Sequence, residues 1–128
     1  MIIPATTVNY IQQEPEVPPT VQEIIVEKAL EYGVDPDTAL SIAWAESRFK
    51  NVPNDKYNGE NGYHTAYGIF QINASTYSPL CGEASERFEI EKNIECAMIL
   101  MSKEGGLNHW SESYPVWKGL PIKQSDFL

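Results

Sequence analysis

Basic residues are scarce in this chain. Nine Lys and Arg stand against eighteen Asp and Glu, a formal net charge of −9 over 128 residues. Nucleic acids and anionic membrane surfaces are bound through basic patches, so neither is an expected partner. Long apolar runs are missing too. The longest, Cys96 to Met101, is six residues, far short of the roughly 20 that span a bilayer. The opening residues show no signal-peptide pattern, because the first Lys or Arg is Lys28 and Pro4 interrupts the apolar start. Histidine and cysteine number two each. His64 and His109 lack the HExxH spacing, and Cys81 and Cys96 belong to no CxxC set, so no metal site is expected. The oxygen-rich stretch from Asp55 to Gly62 does not follow the EF-hand order. No phosphate-binding glycine loop and no GxSxG turn occurs, and no cofactor is expected.

What remains is ordinary globular material, 42% hydrophobic and 11% aromatic. The length suits one domain with a short tail. Residues 1–19 hold four of the nine prolines and read as an extended arm or linker, leaving 20–128 as the domain. Thr20 and Glu23 form a capping box. Val21, Ile24, Ile25, Ala29 and Leu30 recur at helical spacing until Gly33 stops the run. Asp35-Pro36 opens a second helix that runs to about Phe49, striped by Ala39, Leu40, Ala43 and Trp44. The sixteen residues 51–66 are polar and long for a connection, with Asn58-Gly59 and Asn61-Gly62 as hairpin turns. A short apolar segment, Tyr67 to Ile72, follows, then a turn or short helix at 73–80. Ile90, Ile94, Ala97, Met98 and Met101 define a third firm helix, ended by Gly105-Gly106. The tail with Trp110, Tyr114 and Trp117 is expected to wrap the helices.

Glu46 is the first candidate for chemistry. Ala43, Trp44, Ala45 and Phe49 surround it in a helix that is mostly buried. A carboxyl in such a pocket has a raised pKa and suits a general acid. The plainer alternative is a solvated helix-end Glu paired with Arg48 or Lys50. Gln71 is either a satisfied core amide or a ligand-facing one, with Gly68 allowing close approach to the backbone. Tyr67, Trp110, Tyr114 and other aromatics are sugar-stacking or core groups. Cys81 and Cys96 are two buried thiols or one disulfide.

In order along the chain, Ala39-Leu-Ser-Ile-Ala-Trp-Ala-Glu-Ser-Arg-Phe49, a polar loop and Tyr67-Gly-Ile-Phe-Gln-Ile-Asn73 resemble the catalytic core of the lysozyme-like superfamily. The Glu-Ser-x-Phe and Gly-x-x-Gln-Ile elements are similar to those of the soluble lytic transglycosylase domain family, and the same stretch is close to c-type lysozymes. Asn93-Ile-Glu-Cys-Ala97 resembles the downstream helix of both. The resemblance covers about residues 20–105. It implies a mainly α lysozyme-like fold, a helical body with a small loop or β-hairpin lobe flanking a substrate cleft. It implies Glu46 as the catalytic acid and Gln71 as a cleft residue, with Tyr67, Ile69, Phe70, Asn73, Trp110 and Tyr114 as further sugar contacts. It makes Ser47 structural rather than catalytic. It pairs Cys81 with Cys96, since a cysteine on this helix often bonds one in the loop before it.

The implied activity is cleavage of the β-1,4 bond between N-acetylmuramic acid and N-acetylglucosamine in peptidoglycan. The expected protein is a monomer acting outside the cytoplasm on glycan strands. Two departures bear on the product. Ala66 stands where retaining c-type lysozymes carry an Asp, and a retaining pair of carboxyls sits about 5–5.5 Å apart. The usual Tyr-Asn-x-Gly motif after the third helix is missing; Tyr114 is the nearest substitute. A one-Glu lytic transglycosylase is therefore expected. The alternatives are an inverting lysozyme using Asp55 or Glu60, or a non-catalytic sugar-binding module.

Overall fold

A computed structural model describes residues 17–54, 66–120 and 122–127. Among these are five α-helices, α1 Val21–Tyr32, α2 Pro36–Ser47, α3 Ala74–Cys81, α4 Ile90–Met101 and α5 Tyr114–Trp117, with 3₁₀ segments before and after α4 and beyond α5. The fold is mainly α, as the resemblance implies. Two isolated antiparallel bridges, Pro53 to Tyr67 and Tyr67 to Ile72, are the β pairing of the described residues. The arm up to residue 16 and the hairpin turns at Asn58 and Asn61 lie outside them.

Local chemistry sets the helix ends. Thr20 and Glu23 exchange side-chain and backbone bonds at 3.0 and 3.1 Å, closing the capping box of α1. Gly33, at φ 71°, takes the left-handed position that ends it. The Asp35 carboxylate accepts from the Thr38 amide at 3.2 Å, and Pro36 opens α2. The end of α2 is less usual. Arg48 and Phe49 are both left-handed, at φ 58° and 64°. Such angles are uncommon outside glycine. Here the Arg48 guanidinium lies 3.7 Å over the Trp44 ring and donates to the Trp44 and Ala45 carbonyls at 2.7 and 3.2 Å. A cation on the last carbonyls of a helix also suits its dipole. The chain thus leaves α2 one residue after Ser47, with Glu46 in the final turn.

Helix α4 is the centre of the body. Its Ile94, Ala97, Met98 and Leu100 are buried with Ile25 and Ala29 of α1 and Leu40, Ile42 and Ala43 of α2. α1 lies against both α2 and α4, and Lys28 pairs with Glu95 across α1 and α4 at 3.2 Å. Cys81 at the end of α3 is disulfide-bonded to Cys96 of α4, as the resemblance implies, with a Cα–Cα distance of 5.6 Å. Past α4 the chain passes so close to the Leu100 carbonyl that Gly106 has no room for a Cβ. The tail then crosses the body. Its Gln124 amide donates to Asp37 of α2 at 2.8 Å.

Candidate active site

Between the end of α2, the Tyr67–Ile72 segment and the 3₁₀ run Gly106–Ser113 lies a cleft of about 990 Å3. One wall is the segment that resembles a lysozyme strand. It is in fact a tight turn. The Tyr67 and Ile72 amides donate to each other's carbonyls at 3.2 and 3.0 Å, and the Gln71 amide donates to Gly68 at 3.1 Å. Gln71 takes φ 50° to close it.

Side chains from four other elements hold this turn by its backbone. Ser47 of α2 donates to the Ile69 carbonyl at 2.8 Å. Asn93 of α4 accepts from the Phe70 amide at 2.9 Å and donates to the Tyr67 and Arg87 carbonyls at 2.9 and 3.0 Å. The Trp110 indole donates to the Phe70 carbonyl at 2.8 Å. Arg87, on the 3₁₀ turn Ala84–Phe88, donates to Ile72 at 3.2 Å. Gly68 has φ 90°, and a Cβ there would run into the Asn93 amide. Ser47 acts structurally, as the resemblance implies.

This geometry corrects several expected sugar contacts. Ile69 and Phe70 are fully buried in the core. A strand would send alternate side chains to opposite faces. A closed turn does not, so 69, 70 and 72 all face inward. Tyr67 packs edge-on against Phe88 at 4.6 Å, away from the cleft lining. Tyr114 is turned outward, its ring 4.9 Å from Trp117 and under Lys118. Trp110 does line the cleft, yet only 3% of it is exposed, so its indole supports the wall. Gln71 and Asn73 line the cleft as expected. The Gln71 amide nitrogen already bonds the Val52 and Gly68 carbonyls at 2.8 and 2.9 Å, so among the described residues its oxygen is the amide atom left for a ligand. Asp55 and Glu60 lie outside the described residues.

Glu46 is half-buried in the same cleft. Arg48, one of the two partners that the plainer alternative offered, is held over Trp44 instead. Among the described residues its side-chain hydrogen bond comes from Ser113, with Oγ 3.3 Å from Oε1. Burial pushes the carboxyl up to about 7, the Ser113 bond opposes that rise, and the nearby charge of Glu112 adds to it. At neutral pH such a group is present in both forms, which suits giving and taking a proton in turn. Ala66 also lines the cleft.

Against known protein families, the transglycosylase SLT domain matches residues 23–112, well over half of the chain. The chain belongs to the transglycosylase SLT domain family. No curated protein and no solved structure matches it. At family level an SLT domain is a peptidoglycan-directed glycosidase of the lytic transglycosylase type, and peptidoglycan lies outside the cytoplasm. The matched span of this SLT domain begins in α1 and ends one residue before Ser113. No helix among its described residues is long and apolar enough to cross a membrane.

The cleft also contains His109, which the sequence offered only as an isolated histidine, and Ser111 and Glu112, which sequence reasoning passed over. A signal was there. Polar side chains at 109 and 111–113 alternate around a Trp, in the place where the Tyr-Asn-x-Gly motif was sought.

Proposed function

We propose that this SLT domain cleaves the β-1,4 bond between N-acetylmuramic acid and N-acetylglucosamine, with Glu46 acting first as acid and then as base, and releases 1,6-anhydro ends. The observation that carries the reading is a half-buried carboxyl, pushed up to about 7, in a cleft of about 990 Å3. Protonated Glu46 gives its proton to the bridging oxygen as the C1–O bond breaks. The carboxylate then takes the proton of the muramyl 6-hydroxyl as that oxygen closes on C1. Proton count is restored and Glu46 is ready again. Ala66 supports the one-carboxyl route, because a methyl lines the cleft where the resemblance puts a retaining carboxylate.

One observation favours hydrolysis as a second reading. Glu112 lines the cleft and its charge acts on Glu46. An inverting enzyme needs a base on the far sugar face, roughly 6.5–9.5 Å from the acid. Glu112 joins Asp55 and Glu60 as a candidate for it. The deciding experiment is mass spectrometry of purified peptidoglycan after digestion. Anhydro-muramic ends are expected. Reducing ends alone, lost in Glu112→Gln, would establish the hydrolytic reading instead. A folded protein with no turnover would leave a sugar-binding module.

A further inference from the structure

The tail residue that reaches the acid is Ser113, not Tyr114, and its surroundings are informative. Ser113 Oγ lies 3.3 Å from Glu46 Oε1 and 3.2 Å from the Trp110 carbonyl oxygen. A hydroxyl carries one proton, so it serves one of these oxygens at a time. The Trp110 carbonyl has another donor, the Trp117 indole N–H at 3.1 Å. It stays hydrogen-bonded when Ser113 turns away. Leaving a buried acceptor bare is what makes such a rotation costly, and here neither position does so.

From this one-proton, two-acceptor arrangement we propose that Ser113 is a positioning residue whose hydroxyl follows the charge of Glu46 through the reaction. The inference rests on the reading of Glu46 as acid and base. While Glu46 is protonated, Ser113 gives its hydrogen to the Trp110 carbonyl, and the carboxyl proton stays free for the bridging oxygen. When the proton passes to the bridging oxygen, the hydroxyl hydrogen swings to Glu46 Oε1 and stabilises the new charge. When the attacking hydroxyl returns a proton to Glu46, the hydrogen swings back. Ser113 neither gains nor loses a proton over the cycle.

Other charges share the cleft. Glu112 and His109 come from the same 3₁₀ run, and Arg48 from the end of α2. Glu112 acts on Glu46 through space in the direction opposite to Ser113. Arg48 is turned onto the Trp44 ring. Among the described residues, Ser113 is therefore the group that favours the ionised acid.

The test uses S113A and S113T in the full chain. A carbon-13 NMR titration follows the Glu46 carboxyl without substrate, with E46Q identifying its signal. Removing a bond to the charged form raises the midpoint, by about half to one pH unit in S113A. S113T, which keeps the hydroxyl, is expected to retain the wild-type midpoint. In digests, S113A should lower kcat roughly five- to tenfold, with KM unchanged because Ser113 acts through Glu46. S113T should recover most of that loss. If S113A melts early, S113C carries the same readout, because a weak thiol donor should place the midpoint between the other two. Equal midpoints in wild type and S113A overturn the proposal, as does a rise in KM with an unshifted midpoint. A wild-type protein that titrates as described but cleaves no glycan defeats the proposed function, while the midpoints still decide whether Ser113 answers to Glu46.

Discussion

Around the Tyr67–Ile72 turn, Ser47, Arg87, Asn93 and Trp110 each bond a backbone group, at distances from 2.8 to 3.2 Å. Across the same cleft, Glu46 has the Ser113 hydroxyl at 3.3 Å, and that hydroxyl is shared. One wall is over-determined by hydrogen bonds to its backbone. The other keeps its acid poorly solvated and lightly bonded. The difference separates two tasks. Fixed distances come from saturating the backbone; a mobile proton comes from leaving a carboxyl short of partners, because each bond to its charged form would lower its pKa.

That contrast can be broken from either side. The largest effect belongs to the acid. Glu46→Gln removes the proton donor at nearly constant shape, and turnover should fall by about 10²–10⁴-fold with the fold intact. Digestion rates together with circular dichroism check it, and near-normal lysis by the folded variant would end the mechanism. On the other wall, Asn93→Ala removes three hydrogen bonds and strands the buried Phe70 amide. A loss of about 3–5 kcal/mol in denaturant unfolding is expected, with Phe70 amide exchange accelerated.

Next comes the brace behind that wall. Cys96 lies one turn beyond Asn93 on α4, and its disulfide closes a separation of 15 residues. Replacing both cysteines by Ser should cost roughly 3 kcal/mol of stability. The Glu46 midpoint should stay in place, since the brace supports the wall that does not carry the proton. A large shift in that midpoint would mean the two walls are coupled.

The smallest effect sharpens the contrast in pH. Glu46 titrates from 4.5 when unfolded to about 7 when folded, so the folded state holds the extra proton between those values. Its contribution to stability is complete below 4.5 and is lost as pH rises through 7. After discounting for partial exposure, wild type should lose on the order of 1 kcal/mol relative to Glu46→Gln over that range. Melting temperatures of the two proteins from pH 4 to pH 8 measure it. A parallel pair of curves would contradict the buried acid.

The helices were legible because their signals are local. Thr20 with Glu23, and Asp35 with Pro36, cap within three residues, and the α4 stripe repeats at helical spacing. Glu46 stood out for the same reason: apolar neighbours on its own helix turn announce burial. The turn was harder. Tyr67-Gly-Ile-Phe-Gln-Ile reads as a short apolar segment, and the side chains that hold it as a turn come from 15 to 40 positions away. The contact of Ser113 with Glu46 was not legible on the same grounds. Nothing near it in the chain says that a Glu 67 positions earlier will lie beside it.

That separation has a consequence for when the protein becomes competent. Helix hydrogen bonds join residues four apart and form early, whereas closing a loop of this length carries an entropy cost that grows with the logarithm of its span. A chain that has assembled α1, α2 and α4 has buried part of its core but has not yet brought Ser113 to Glu46. Docking of the Gly106–Ser113 run does that, and its undocking would undo it while the helices stay folded. Such partial openings are ordinary excursions from a native state. Under the proposed mechanism, cleavage therefore depends on arrival of the tail beside Glu46.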